Sequence, residues 1–338
     1  MKGILLNNLG SPDSTETEDV KKYLGEFLMD ERVIDIPYWK RWLLINGIIL
    51  NIRPKKSGAA YKKIWTKKGS PLVVFSEMFT KKIIKKMDLP VSLAMRYGSM
   101  SMEKGIKELV EKGVTEIFLA PLYPHYAMSS YESVVTKAEE ILADKYPSLK
   151  LDVLPPFYNK PGYIKAMCNN IENHLKGFDY DHILFSYHGI PERHILKSDV
   201  TNSHCKIDGS CCERNSVAHH TCYRHQCFET TKEIAKTLKL KEGTYSNSFQ
   251  SRLLKDPWLK PYTDFELEKF PAAGKKKLAV ITPAFVSDCL ETLEEIAMEG
   301  KDEFLKFGGT DYKHIPCMND NDDWVDVMVT WINDWKLS

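Results

Sequence analysis

The sequence predicts an α/β fold of two similar halves, each a mainly parallel sheet flanked by helices. Three short apolar runs end at Gly or Pro, as strands buried on both faces of a parallel sheet do; they are residues 4–9, 117–120 and 183–186. Amphipathic stretches separate these runs, and strands that alternate with helices indicate parallel βαβ units. The 338 residues are also too many for one ordinary core and suggest two domains.

An internal repeat supports the two halves. At an offset of 179 positions Leu9 aligns with His188, and at an offset of 162 Pro121 aligns with Pro283. Two matches in the same chain order favour two related units with a cleft between them, where such sheets bind ligands beyond the carboxyl ends of their strands. The expected domains are 1–155 and 156–338, divided at the Pro155-Pro156 pair, with the C-terminal helix packing back on the first half.

The other elements follow from capping residues and apolar periodicity. Ser14 and its neighbours are N-cap residues for a first helix, and Ser101 is the N-cap of a later one. The predicted helices are 20–29, one that begins at Ser101, 131–143, 161–175, 228–240 and 324–335. The further strands are 91–95, a strand and turn over 245–252, and 278–282, which we expect to be the last core strand.

Composition narrows the class of protein. With 43% apolar and 28% charged residues, the chain has the composition of a soluble globular protein. A net charge of +1 gives no electrostatic reason to expect a nucleic-acid partner. No apolar run approaches the ~20 residues that span a bilayer. Because residue 4 already begins a strand, we expect no signal peptide and a cytoplasmic location.

One apolar segment, 36–56, has two interpretations. Its large apolar side chains include Trp39, Trp42 and Leu50. They could form a buried helix pair, or an apolar lip over the cleft that also makes peripheral contact with a membrane surface. Basic residues at the lipid headgroups would support the second interpretation; those available are Lys40, Arg41, Arg53, Lys55 and Lys56.

His188 is the first candidate site residue. It ends the apolar strand 183–186 and is followed by Gly189, where the chain could approach a ligand closely. A titratable ring held by a rigid strand at the ligand-binding edge is suited to acid–base work or metal binding. The alternative is a solvated ring that merely ends the strand.

Glu291 is the second candidate. With Asp288 three positions earlier it fits a capping box at a helix start. Glu291, Glu294 and Glu295 also form an acidic helical face that begins after a core strand. If this face and His188 line one cleft, they could bind a divalent cation or remove a proton beside it.

The cysteines indicate a resident metal centre. Five of the eight lie within 203–227, and a chain without an export signal favours metal binding over disulfides. The segment lacks the Cys-x2-Cys pairs usual in zinc sites, so an iron–sulfur cluster held by four thiolates fits better. The five candidates are Cys205, Cys211, Cys212, Cys222 and Cys227.

Several segments together resemble the ferrochelatase family along essentially the whole chain. They are Leu-Leu-Asn-Asn-Leu-Gly-Ser-Pro12, Arg53-Pro-Lys-Lys-Ser-Gly-Ala-Ala-Tyr61, Gly69-Ser70-Pro71, Arg96-Tyr97, Pro121-Leu-Tyr-Pro-His-Tyr126, Ser186-Tyr-His188-Gly-Ile-Pro, Phe249-Gln-Ser-Arg252 with Asp256-Pro-Trp-Leu, and Pro283-Ala-Phe-Val-Ser-Asp288-Cys-Leu-Glu291-Thr-Leu. The resemblance implies two Rossmann-like halves around a porphyrin cleft. It implies insertion of Fe²⁺ into protoporphyrin IX, which gives protohaem and two protons as the last step of haem synthesis.

The resemblance also implies roles for individual residues. His188 and Glu291 match the residues taken to bind the incoming iron and to assist loss of the pyrrole protons. Positions that contact the macrocycle or its propionates match Leu9, Arg53, Tyr61, Ser70 and Tyr126. The insertion resembles that of bacterial members with a [2Fe–2S] cluster, which implies Cys205, Cys211, Cys212 and Cys222 as ligands and Cys227 as the alternate.

The chain differs from many family members at Cys289, and two other functions are compatible with its sequence. Many relatives carry His where this chain has Cys289, a softer and neutral group that could change metal choice or proton exit. A related chelatase could insert cobalt or nickel, or use coproporphyrin, although the long apolar lip favours the less polar protoporphyrin. From a different class, the chain could be an iron–sulfur redox sensor or ligand-binding protein, which would leave His188 and Glu291 without a role.

Overall fold

The computed structural model describes residues 1–252 and 256–338. The chain divides into two compact units. The first comprises Met1–Tyr123, Met128–Pro156 and Asn319–Ser338, and the second comprises Pro124–Ala127 and Phe157–Met318.

The elements alternate along the chain as a βαβ pattern requires. The strands are β1 (Lys2–Asn8), β2 (Val91–Met95), β3 (Glu116–Pro121), β4 (Lys150–Val153), β5 (His182–His188), β6 (Tyr245–Gln250), β7 (Lys277–Ile281) and β8 (Asp311–His314). The α-helices are α1 (Thr17–Leu28), α2 (Tyr38–Trp42), α3 (Leu50–Ile64), α4 (Pro71–Lys86), α5 (Met102–Glu111), α6 (Ser133–Lys145), α7 (Pro161–Leu175), α8 (Glu192–Lys197), α9 (Tyr223–Thr237), α10 (Thr263–Ala272), α11 (Lys301–Lys306) and α12 (Asp322–Leu337). Wider π-helical turns cover Leu43–Ile49, Met128–Glu132 and Glu291–Gly300, and a 3-10 helix covers Val217–His220.

Each unit contains a parallel sheet with the same strand order. The orders are β2-β1-β3-β4 in the first unit and β6-β5-β7-β8 in the second. All the strand pairs within both sheets are parallel. Central strands β1 and β5 are buried along almost their whole length, as their unbroken apolar runs predict. The predicted fold class is therefore confirmed.

Two strands, β4 and β8, were not recognised from the sequence. Residues 278–282 were expected to be the last core strand, but β8 follows and pairs with β7, from Lys277↔Asp311 to Val280↔His314. The four-residue edge strand β8 buries only Tyr312 fully, so it lacks the apolar run by which a buried strand is recognised.

The C-terminal helix α12 packs within the first unit. Trp324 is fully buried and stacks on Phe79 of α4, with 5.6 Å between ring centroids. At the other end of α12, Trp335 stacks on Phe118 at 5.0 Å and donates its indole N–H to Asp152. Aromatic burial at both ends explains how residues so distant in sequence complete the first core.

The apolar segment 36–56 forms most of a continuous helical stretch made of α2, a π-helical turn and α3. One face, which includes Ile45 and Leu50, is buried. The other face is exposed, with Tyr38 at 65%, Trp39 at 61% and Ile52 at 71% of their full accessible areas. A fully buried helix pair is therefore the wrong interpretation. Across residues 1–252 and 256–338, no helix has the length and apolar character needed to cross a bilayer.

Candidate functional site

The two candidate catalytic residues lie at one edge of the second sheet. His188 is the last residue of β5, which pairs in parallel with β7. The chain leaves β7 at Ile281 and enters the π-helical turn at Glu291. Because parallel strands present their carboxyl ends at the same edge, both residues belong to the edge at which α/β sheets bind ligands.

Gln250 connects these two residues. It ends β6 directly beside His188 in the strand register, and it is 3% exposed. Its side-chain oxygen accepts from the Ser186 hydroxyl at 2.7 Å, and its side-chain nitrogen donates to the Glu291 carbonyl at 3.4 Å. A buried amide with both ends engaged holds the start of the π-helical turn against the sheet.

The imidazole of His188 is half-buried and has a defined orientation. Its Nδ1 donates to the carbonyl of Gly189 at 2.6 Å, and the Phe285 ring lies 6.2 Å away. A carbonyl can only accept, so Nδ1 carries a proton in this arrangement. In the neutral ring the Nε2 lone pair is then available for a proton or a metal ion. This geometry argues against a ring that merely ends the strand.

Gly189 is required by a close approach of the backbone. A Cβ at this position would lie 2.8 Å from the Gln250 carbonyl oxygen and 3.2 Å from Cε3 of Trp258. Any side chain would push β5 away from β6 at the residue that positions the imidazole.

A second carboxylate, Glu295, lies one turn beyond Glu291. Burial raises its pKa to about 7, assisted by the negative charge of Glu291 and opposed by hydrogen bonds from Ser251. Ser251 donates both its backbone N–H, at 2.9 Å, and its hydroxyl to this carboxylate. The backbone of Ser251 is left-handed, with φ at +65°, a conformation that costs energy for a residue other than glycine.

Acidic groups also line a cavity of about 210 Å³ in the second unit. Its polar wall includes Gln250, Ser251, Glu295, Glu299 and Glu303. The cavity could hold several waters or a hydrated cation next to the carboxylate row.

Cys289, the departure from many relatives, is buried beside Glu291. Burial raises the pKa of its thiol well above the usual range, and the charge of Glu291 and a hydrogen bond to it raise the pKa further. The thiol is therefore a neutral donor to the Glu291 carboxylate. Neighbouring Asp288 accepts from the Thr292 hydroxyl at 2.8 Å, which fixes the approach to the π-helical turn.

The other predicted substrate contacts are divided between the units. Leu9 follows β1, and Arg53 is exposed on α3. Tyr61 is buried on α3, and buried Ser70 directly precedes α4 and borders a cavity of about 130 Å³ with Lys68. All four belong to the first unit, whereas Tyr126 belongs to the second.

Tyr126 is held through its backbone. Its N–H donates to the Gln226 side chain of α9 at 2.7 Å, and the adjacent His125 ring bonds to the Thr230 hydroxyl at 2.8 Å. Burial lowers the pKa of His125 to about 3, so this ring is neutral and serves packing.

The four cysteines expected to bind the cluster lie together and are buried. The Cys212 thiol donates to Cys222, which in turn donates to Cys205. The Cys211 sulfur accepts from the Lys206 N–H at 3.2 Å. Burial raises the pKa of Cys205 to about 11, so this thiol is protonated at neutral pH.

The fifth cysteine, Cys227, is buried on α9, and its thiol lies against the hydroxyl of Tyr223. All eight cysteines are free thiols. In the part of the chain that the structure describes, no three Cys, His, Asp or Glu side chains are grouped so that they could already hold a metal ion. The donor chemistry of the four thiols nevertheless fits iron–sulfur ligation, because all four sulfurs are buried and three of them, those of Cys205, Cys212 and Cys222, are linked by hydrogen bonds.

The family model for ferrochelatase matches residues 1–335. The chain belongs to the ferrochelatase family. It is 46% identical over 337 residues to the ferrochelatase of Opitutus terrae, covering 99% of this chain and 97% of the relative. It is 44% identical over 330 residues to the ferrochelatase of Stutzerimonas stutzeri, covering 97% and 96%. Membership in the ferrochelatase family makes it an enzyme, a lyase-type metal chelatase.

Solved structures of related chelatases share the fold. The sirohydrochlorin chelatase SirB of Bacillus subtilis subspecies spizizenii, in complex with cobalt, matches with a TM-score of 0.57 at 9% identity, covering 98% of this chain and 94% of that one. SirB of Bacillus subtilis with Fe³⁺ matches with a TM-score of 0.55 at 11% identity and the same coverage. This ferrochelatase-family chain therefore has the two-sheet chelatase fold.

The sequence did not single out three residues that hydrogen-bond to the candidate site, Gln250, Ser251 and Tyr223. The first two lie in the Phe249-Gln-Ser-Arg252 motif, so a signal was present. Their partners His188 and Glu295 are distant in sequence, and only the parallel pairing of β5 with β6 shows the connection.

Proposed function

We propose that the chain inserts Fe²⁺ into protoporphyrin IX and releases protohaem and two protons. The observation that carries this proposal is the pair of proton- and metal-binding groups, His188 and Glu291, joined through buried Gln250 at the ligand edge of one sheet. Membership in the ferrochelatase family supports the choice of porphyrin and iron. The net reaction exchanges one divalent cation for two N–H protons and needs no oxidant or reductant.

In the proposed mechanism His188 accepts a pyrrole proton. Its Nδ1–H is engaged with Gly189, so Nε2 is the basic atom that faces the reaction. Glu291 contributes a carboxylate to the incoming Fe²⁺, a ligand type that suits a divalent cation. Loss of both protons leaves a dianionic macrocycle, which the metal ion neutralises.

Protons leave through the acidic row in this proposal. Glu295, with a pKa raised to about 7 by burial, exchanges a proton easily at neutral pH, and the Ser251 donors hold it in place. As Fe²⁺ moves from Glu291 into the macrocycle, the freed carboxylate takes the second pyrrole proton and passes it to Glu295, from which it enters the acidic cavity of about 210 Å³. The Cys289 thiol steadies the Glu291 carboxylate by donation and takes no proton from it.

Substrate contacts are proposed by residue type. A porphyrin is a flat apolar disc with two anionic propionates, so it needs apolar walls and cationic or hydroxyl groups at its edge. Leu9 and Tyr126 would contact the disc, while Arg53, Tyr61 and Ser70 would bind its edge and propionates. The exposure of Arg53 suits a group that meets a charged, solvated carboxylate.

A [2Fe–2S] cluster is the proposed resident cofactor, held by the thiolates of Cys205, Cys211, Cys212 and Cys222. When bound it supplies one-electron redox capacity and a cross-link among four chain positions. Cys227 is the less suitable ligand, because its thiol is engaged with Tyr223 inside the packing of α9.

Peripheral membrane contact is proposed for the apolar segment 36–56. Its exposed face combines Tyr38, Trp39 and Ile52 with the neighbouring cations Lys40 and Lys55, and interfacial helices use this combination. Apolar side chains would enter the acyl boundary while the cations meet anionic headgroups.

The test is anaerobic addition of Fe²⁺ to protoporphyrin IX with the purified protein, followed by the Soret absorption of the product. Turnover with this pair, and weaker turnover with coproporphyrin or with cobalt and nickel, supports the proposal. Faster turnover with a different porphyrin or metal would assign the chain to that reaction. Tight porphyrin binding without any metal insertion would instead favour a ligand-binding function.

A further inference from the structure

The peptide unit that joins His188 to Gly189 is held at both ends. Its N–H, from Gly189, donates to the Gln250 carbonyl at 2.8 Å. Its carbonyl, from His188, accepts from the hydroxyl of Tyr223 at 2.8 Å. Tyr223 is 5% exposed and is the first residue of α9. The orientation of this peptide unit therefore depends on two separate elements, β6 and α9.

This peptide unit determines where the imidazole points. The next carbonyl along the chain, that of Gly189, accepts from His188 Nδ1 at 2.6 Å. Rotation of the peptide unit would move this carbonyl and release the ring, because Gly189 has no side chain to resist rotation. Tyr223 thus acts on the imidazole through two successive peptide groups, without touching the ring.

Tyr223 and its neighbours lie near the end of the cysteine-rich segment 203–227, and the residues on either side of it are hydrogen-bonded to residues 205–212 of that segment. Cys222 precedes it and shares hydrogen bonds with Cys205 and Cys212. Arg224 follows it and donates to the carbonyls of Lys206 and Ile207.

The attachment continues along α9. Arg224 also donates to the Cys211 sulfur at 3.7 Å, and His225 Nδ1 donates to the Cys212 carbonyl at 2.8 Å. Among residues 222–225, three are therefore hydrogen-bonded to the earlier part of the cysteine-rich segment. The fourth, Tyr223, is hydrogen-bonded to His188 at the end of β5. Whatever orders the cysteine-rich segment also fixes the position of the Tyr223 hydroxyl.

We propose that Tyr223 is a positioning residue for His188, and that it transmits the order of the cysteine-rich segment to the catalytic imidazole. This inference rests on the proposed role of His188, and it gives the cysteine-rich segment a function in the reaction. A segment ordered by its proposed metal centre holds α9, which holds the 188–189 peptide unit and keeps Nε2 directed at the substrate. A disordered segment releases the hydroxyl and lets the imidazole turn.

Tyr223→Phe removes the hydroxyl and keeps the ring. Loss of one neutral hydrogen bond should increase amide exchange at Gly189 about fivefold and lower kcat by a similar factor, with KM for porphyrin unchanged. Nitrogen NMR of labelled histidine, with the His188 signal assigned from its absence in His188→Ala, should show the Nδ1–H form losing population. Visible absorption of the thiol-bound centre should stay as in the wild type.

The matched control is Tyr163→Phe. It removes another buried tyrosine hydroxyl of the second unit, one that donates to the Pro283 carbonyl at 2.9 Å. Tyr163→Phe should lower overall stability comparably and leave both Gly189 exchange and the His188 nitrogen signals as in the wild type. Equal effects of the two variants on those signals would overturn the proposal.

The link to the cysteine-rich segment is tested by a double-mutant cycle. Arg224→Ala cuts the attachment without removing a thiol, and it should raise Gly189 exchange about fivefold in the wild type but little in Tyr223→Phe. The same increase in both backgrounds would refute transmission through Tyr223. Failure of the proposed chelatase reaction would appear separately, as absence of metal insertion by the wild type in the anaerobic Soret assay, and failure of the proposed role of His188 as full activity in His188→Ala. Neither outcome would change these exchange and NMR results.

Discussion

Replacing Glu295 with Gln tests the electrostatics of the acidic row. Burial raises the pKa of this carboxyl from 4.5 to about 7 in the folded protein, so the folded state holds the proton more tightly than the unfolded chain does. The stability contributed by the protonated carboxyl is therefore full below the unfolded pKa and is lost as the pH rises through about 7. A pKa shift of this size corresponds to a contribution of about 3 kcal/mol to the free energy of unfolding.

The pH-dependent contribution of Glu295 to stability can be measured by urea unfolding. The wild type and Glu295→Gln are compared at about pH 5 and at about pH 8. The Gln side chain carries no charge at either pH. The free energy of unfolding of the variant, relative to that of the wild type, should therefore increase by about 2 to 3 kcal/mol from the lower to the higher pH. The altered contact with Ser251 changes the free energy of unfolding by an amount that is the same at both pH values. Activity should also fall about 100-fold, the usual effect of losing an acid–base group.

Glu103→Gln is the control with the opposite sign. A hydrogen bond from Lys145 lowers the pKa of Glu103, so the wild type gains stability from its ionised form as the pH rises above the acid range. This gain is complete once the pH exceeds the unfolded pKa of 4.5, so the free energy of unfolding of the Gln variant relative to the wild type should decrease as the pH rises to about 5 and stay constant between about pH 5 and about pH 8. If the difference in free energy of unfolding between Glu295→Gln and the wild type does not vary with pH, Glu295 does not hold a proton in the folded state as proposed.

The remaining predictions concern the imidazole, the thiols and the apolar segment. His188→Ala should keep wild-type unfolding but lose activity by about 100-fold or more in the anaerobic Soret assay, and near-normal turnover would exclude His188 as the base. Joint replacement of Cys211 and Cys212 by Ala should abolish visible absorption of the purified protein, and persistence of the absorption would rule out both as ligands. Replacing Trp39 and Ile52 by Ser should reduce flotation with anionic vesicles about tenfold while activity in detergent stays unchanged, and equal flotation would place membrane contact elsewhere.

Much of the fold was readable from residues close together in the chain. The apolar runs ended by Gly or Pro predicted β1, β3 and β5, and Ser101 marked the start of α5, where its hydroxyl accepts from the Lys104 N–H. The offset repeats anticipated two sheets of identical strand order. Strands β4 and β8 were not recognised, because a short edge strand buries too little surface to leave an apolar pattern.

The sequence also predicted the types of chemical group at the candidate site. A histidine after a buried strand, an acidic helix start and clustered cysteines are local features, and each reflects chemistry that the residue itself carries. Residue type alone could not show that Glu295 holds its proton near neutral pH. That depends on burial and on the nearby charge of Glu291, and it is opposed by two hydrogen bonds from Ser251, which directly follows β6.

Tertiary structure alone decided how these groups act together. Parallel pairing of β5 with β6 and β7 places Gln250 between His188 and Glu291, and it brings Tyr223 of α9 to the 188–189 peptide unit. Hydrogen bonds between residues so distant in sequence form only when the strands align, because their direction depends on strand register and not on residue type. The amino-acid sequence by itself thus determined which chemical groups are available, and the fold determined which hydrogen bonds orient each one.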